Sequence, residues 1–155
     1  MNHLHIALGA SLAAAALAAA AGIWWMSGPS EPWRLQAGDA GVVARGEAVY
    51  REHCASCHGA KLEGEPNWRT PDAEGYLPAP PHDETGHTWH HPDELLFRIT
   101  RLGTAKAAKL DGYKSRMPGF DGVLDDADIA AALSYIKSTW PEQIRRRHDA
   151  MSAKQ

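Results

Sequence analysis

The five residues Cys54-Ala55-Ser56-Cys57-His58 decide how this chain of 155 residues is read. Helix positions i and i+3 lie on one face, so the two thiols project together from a single turn, with an imidazole following at once. Three chemistries use such a cluster. A structural zinc site wants four ligands, usually from two separated pairs, and Cys54 and Cys57 are the only cysteines in the chain. A dithiol site of the thioredoxin kind needs a strand, a turn and a helix within a βαβ unit, and neither flank reads as a strand. Covalent haem needs only what is present: two thiols that each add to a vinyl group, and a histidine that swings its imidazole under the iron. One haem c is therefore expected, with Cys54 and Cys57 as its thioether anchors and His58 as the proximal iron ligand.

The flanks suit a helical setting. Upstream, Val42, Gly46, Val49, Tyr50 and His53 recur at helical spacing behind Asp39, a residue suited to an N-cap. Glycine inside a helix costs ~1 kcal/mol relative to alanine, so Gly46 points to another helix approaching closely there. Downstream, Asp125-Asp126-Ala127-Asp128 opens a second amphipathic helix with Ile129, Ala132, Leu133, Ile136 and Trp140 on one face, ended by Pro141. These two helices are the natural crossing pair. A further helix, about Pro92 to Leu102, offers Leu95, Leu96 and Ile99 to the haem pocket.

Iron held by His58 on one side needs a second side chain on the other, or an open position. Met117 is the candidate distal ligand. It lies in a loop, residues 112–120, just before the last helix, where Pro118 removes a backbone donor and fixes φ. The thioether is thus presented from a stiffened loop. Met1 and Met26 flank the N-terminal apolar segment and Met151 lies in a charged tail, so the main rival is a histidine ligand.

From about Asp39 to Trp140 the chain resembles a class I cytochrome c domain. The resemblance rests on Gly46 and Tyr50 in the first helix, the C-A-S-C-H motif, Met117-Pro118 in a loop, and Tyr135-Ile136 in the C-terminal helix. It implies an all-α fold, a small helical domain wrapped round one covalent haem, with its first and last helices crossing near Gly46. It also implies that a proline carbonyl after the attachment motif orients the proximal imidazole, and Pro78, Pro80 and Pro81 all sit in the right stretch. Such a protein is an electron carrier rather than an enzyme, alone or as a subunit of an oxidoreductase complex. Its redox partners would be a dehydrogenase, a respiratory complex or a terminal oxidase. The rival is a haem enzyme or gas-sensing cytochrome with an open sixth position.

From Leu4 to Met26 there is no Asp, Glu, Lys or Arg, and alanine dominates. At ~1.5 Å rise per residue, a helix of that length crosses a bilayer core of ~30 Å. Trp24 and Trp25 suit the membrane interface, while small residues at Ala18 to Ala21 offer a signal-cleavage site instead. Residues 1–26 therefore read as an N-terminal hydrophobic transmembrane anchor, or as a signal segment whose removal leaves a soluble periplasmic protein. Residues 27–38, with Gly28, Pro29, Ser30 and Pro32, read as a tether. The cytochrome c domain takes 39–141, and 142–155 form a charged C-terminal tail. The expected place is the bacterial inner membrane with the haem domain in the periplasm. All the charged residues behind the net −3 follow the apolar segment, and no basic cluster suits nucleic acid.

Between Gly64 and Pro92 lies an insert longer than a minimal domain requires, carrying His82, His87, His90 and His91. Four histidines within ten residues permit copper or zinc binding, and with it a metal-delivery module. The plainer reading starts a helix at His91-Pro92-Asp93-Glu94 and uses His82 and His87 to stabilise the loop. Weak or absent metal binding is expected. Trp68, Trp89, Tyr113, Arg98 and Arg116 are candidates to hydrogen-bond the haem propionates.

Overall fold

The computed structural model describes residues 31–154, which are helical with no strand among them. The apolar segment at 4–26 and the first part of the tether lie outside the described residues. Among the described residues, no helix is long and apolar enough to cross a membrane.

Helix α1, Ala40–His53, begins where the Asp39 carboxylate accepts the backbone N–H groups of Gly41 and Val42 at 2.9 and 3.0 Å. Such a cap contributes ~1 kcal/mol. The helix breaks at Cys54, with φ −120° and ψ −37°, and resumes as the single turn α2, Ala55–His58. Gly59 ends that turn at φ 83°, in the left-handed region where glycine carries no Cβ penalty. A long loop and the 3-10 turn Thr88–His90 lead to α3, Asp93–Leu102, and then to the short α4, Thr104–Ala108. The Asp125 carboxylate accepts the Asp128 N–H at 2.7 Å and starts α5, Asp126–Ser138. Helix α6, Glu142–Ser152, follows Pro141.

The principal packed pair is α1 with α5. Gly46 is buried at their crossing, where a Cβ would overlap the Ala131 carbonyl and press on Tyr135. The small residue lets two backbones meet, as expected. Tyr50, Ile129, Leu133, Ile136 and Trp140 form the core beside this crossing, and α3 adds Leu96 and Phe97. Burying side chains of this kind stabilises by ~1.5–3 kcal/mol each, so the crossing is the rigid base on which the attachment turn is mounted.

The charged C-terminal segment is not a bare tail: it is helical and docks on the same core. His148 in α6 is fully buried, its Nε2–H donating to the His91 carbonyl at 2.8 Å and its ring meeting Trp140 edge-on at 5.0 Å. Lys137 of α5 lies 2.6 Å from Asp149 and 3.5 Å from Asp93. Ser152 Oγ–H donates to Asp93 at 3.1 Å, and the same carboxylate accepts the Leu35 N–H at 3.1 Å. Buried charges persist where each finds a partner, and here the partners come from three helices and the tether. That pairing is invisible to local periodicity.

Candidate haem site

Cys54 and Cys57 are free thiols one turn apart, the first half-buried and the second exposed. Burial, with Cys57 adding to it, pushes the Cys54 thiol up to about 11, so it stays protonated at neutral pH. The buried Tyr50 donates its hydroxyl to the Gly59 carbonyl at 2.8 Å, tying α1 to the residue after the attachment turn.

His58 is buried, and its Nδ1–H donates to the Pro80 carbonyl at 2.8 Å. A carbonyl only accepts, so the proton of the neutral ring is on Nδ1 and the Nε2 lone pair is free. Burial holds the imidazole below its usual range, against smaller opposing effects of the Pro80 bond and Glu65. Of the three prolines in the run, Pro80 is the one that meets His58. Backbone bonds hold it there: Gly64 N–H to His58 carbonyl, Glu65 N–H to Ala79 carbonyl and His82 N–H to Leu62 carbonyl, each 2.8 Å. At Gly64 a Cβ would collide with the Pro80–Pro81 backbone, so glycine permits that approach.

Met117 is half-buried and borders a cleft of about 220 Å³ that it shares with Leu102, Gly103 and Tyr113. Its N–H donates to Ser115 Oγ at 3.1 Å. The loop is fastened to α3, with Phe120 N–H donating to the Thr100 carbonyl at 3.0 Å and Asp121 N–H to the Arg101 carbonyl at 2.9 Å. The insert clasps it from the other side. Arg116 pairs with Asp72 at 2.6 Å and Glu74 at 3.1 Å, and its guanidinium lies 4.2 Å from the Tyr76 ring centre. The Tyr76 N–H and Arg116 hold the Asp72 carboxyl below its usual range.

Three of the side chains considered for the propionates are engaged elsewhere. Arg116 is in the clasp, Arg98 donates to the Ala107 carbonyl at 2.9 Å, and Trp89 Nε1–H donates to the Glu84 carbonyl at 3.3 Å. Among the histidines of the insert, the His87 and His91 rings meet edge-on at 5.4 Å, and the four do not converge on one point. His82 stacks on His58, His87 on Trp68 and His90 on Trp89, while His91 gives its carbonyl to His148. Among the described residues, no three side chains of metal-ligating type gather. Burial holds His82 well below the usual imidazole range, and His87 and His91 below it.

A family model of cytochrome c matches residues 43–140, nearly the whole stretch from α1 to Trp140. The chain belongs to the cytochrome c family. Among similar proteins, a cytochrome c2 from Rhodoblastus acidophilus is 31% identical over 109 residues, covering 64% of this cytochrome and 96% of its own length. A cytochrome c6 from Diacronema lutheri is 29% identical over 102 residues, covering 63% of this chain and 96% of its own length. A cbb3-type cytochrome c oxidase subunit, CcoP, from Azospirillum sp. is 31% identical over 101 residues, 65% of this chain but 30% of the subunit. This cytochrome therefore spans under a third of that relative. No solved structure matches the chain.

Cytochrome c membership carries a covalently bound haem c, and Cys54 and Cys57 fit its attachment motif. The donor set fits the group chemically: two free thiols on one turn, and a buried imidazole with Nδ1 tied and Nε2 available. The His58–His82 stack and the choice of Pro80 were the parts that sequence reasoning missed or left open. Both depend on how the loop folds back, and the chain signals this only by placing Pro80 two residues before His82.

Proposed function

We propose that this cytochrome c carries single electrons between larger redox partners, its domain at 39–141 facing the periplasm. In this reading Cys54 and Cys57 anchor the haem, His58 is the proximal iron ligand and Met117 the distal one. The bond from His58 Nδ1–H to the Pro80 carbonyl carries the proposal, because it leaves Nε2 as the donor and makes it a stronger one. The haem, when bound, supplies a reversible one-electron iron couple. Everything else is done by the chain. The clasp of Arg116 on Asp72 and Glu74 holds the loop that presents Met117. A thioether opposite histidine favours ferrous iron, raises the potential and leaves no position for a substrate or gas.

The apolar segment at 4–26 would hold the domain at the inner membrane, with 27–38 as its tether. If that segment is removed as a signal, the same domain works as a soluble periplasmic carrier. The names of the c2 and c6 relatives support a small carrier, and the name of the Azospirillum relative makes a terminal oxidase a natural acceptor.

An optical redox titration tests the reading. Ferric protein is expected to show the weak red band of sulfur ligation, and ferrous protein to resist carbon monoxide at neutral pH. Met117→Ala is expected to lose the band, lower the potential and admit carbon monoxide. Ready binding of carbon monoxide by the wild type would replace the carrier with a haem that has an open sixth position.

A further inference from the structure

His82 is held by hydrogen bonds at its N–H, its carbonyl and its ring. Its N–H donates to the Leu62 carbonyl at 2.8 Å, and its carbonyl accepts the Trp140 Nε1–H at 2.7 Å. Its Nδ1 hydrogen-bonds the buried Thr88 hydroxyl at 2.7 Å, so the ring cannot turn about its bond to Cβ without breaking that contact. Tyr50 meets the ring edge-on, with centres 6.3 Å apart and planes at 73°. One face of the ring lies on His58: the centres are 4.0 Å apart and the planes within 25°.

The two restraints on His58 differ in kind. The Pro80 carbonyl fixes one point on the ring edge, and a ring held at one point still tilts about the line through it. A stacked plane removes that tilt. The two restraints come from one short stretch, Pro80-Pro81-His82, so the loop grips the imidazole by edge and by face together. Gly86 closes the arrangement, since a Cβ there would overlap the Pro81 carbonyl.

We propose that His82 is a positioning residue for the iron ligand: held by Thr88, it sets the plane of the His58 imidazole and so the direction from which its π orbitals meet the haem. The inference rests on His58 as proximal ligand, the reading proposed above. His82 itself makes no bond to iron. Outer partners of a metal-bound histidine fix its orientation as well as its donor strength, and here those two tasks fall to different residues, orientation to His82 and donor strength to Pro80.

In low-spin ferric haem, the spread of the ring-methyl proton resonances reports the plane of the axial imidazole. That spread is the readout, taken on haem-loaded protein together with far-ultraviolet circular dichroism. His82→Leu is expected to redistribute the methyl resonances, whereas His82→Phe, which keeps a flat face against His58 but loses the bond to Thr88, is expected to shift them no further than Thr88→Val does. Thr88→Val, which removes only the side-chain hydrogen bond, is expected to shift the pattern in the same sense as His82→Leu and by less. An unchanged methyl pattern in folded His82→Leu overturns the proposal. Should the His82 variants fail to fold, an unchanged pattern in Thr88→Val overturns it equally. Failure of the underlying reading looks different: the hyperfine-shifted protons of the axial imidazole would then persist in His58→Ala.

Discussion

Gly46 shows how one side chain is set by what lies opposite it. In an isolated helix, Gly46→Ala stabilises by ~1 kcal/mol. In this fold the added Cβ overlaps the Ala131 carbonyl, which is backbone and cannot swing aside, so α1 and α5 must separate. Overpacking of this kind costs ~1–3 kcal/mol, and the expected net effect is destabilisation, read as a lower urea midpoint of the haem-loaded protein. A stabilised variant would mean the helices do not touch there. That contact was legible in the sequence because a glycine in mid-helix needs a reason. The carbonyl that meets His58 was not. Pro78, Pro80 and Pro81 are equivalent by position, and the choice among them is made by Gly64, Glu65 and His82 backbone bonds across the loop.

At the scale of elements, α6 is the part that composition concealed. Its arginines and Glu142 are exposed or half-exposed, as a charged tail suggests, yet His148 is fully buried and Lys137 nearly so. Because His148 Nε2–H donates to the His91 carbonyl, the neutral ring has no proton on Nδ1, which lies 3.5 Å from an Asp93 oxygen without a hydrogen bond. The groups facing it are Asp93 from α3, Lys137 from α5 and Asp149 from its own helix. Burial, helped by Lys137, lowers its pKa, against opposing effects of Asp93, the His91 carbonyl and Asp149. With the folded value below the ordinary 6.5, the unfolded chain takes up the proton first as pH falls. Its contribution to stability is therefore present above about 6.5 and is lost as pH falls through the folded value. Urea midpoints of the haem-loaded protein, taken from about pH 7.5 to about pH 5.5, are expected to fall more steeply in wild type than in His148→Phe. Parallel slopes would show that His148 is not the group that titrates. The helices α1, α3 and α5 and the α1–α5 pair could be read from spacing and caps, which are local, whereas the short α4 gave no such signal. The docking of α6 could not, since its partners lie up to 59 residues away along the chain.

For the whole molecule, the described residues 31–154 contain every Asp, Glu, Lys and Arg, so the formal net charge of −3 belongs to them, and His5 is the one titratable side chain within the apolar segment. That division makes cellular position a separable property. In the anchored reading, residues 4–26 act only as an attachment, and the haem chemistry belongs wholly to the domain. A haem-stained chain of full mass is then expected to sediment with membranes, to resist extraction by high salt, which screens charge, and to be released by detergent. Exchanging residues 1–26 for a cleavable export signal is expected to move it into the soluble periplasmic fraction, with the red band and the resistance to carbon monoxide unaltered. The exchange separates two dependencies, because a domain that needed its anchor to fold would lose haem instead of changing fraction. Intact mass of the native protein decides between anchor and signal. A mature N-terminus near Ala21 or Gly22, with the wild type already soluble, overturns the anchor and leaves a diffusing periplasmic carrier that reaches its partners without membrane confinement.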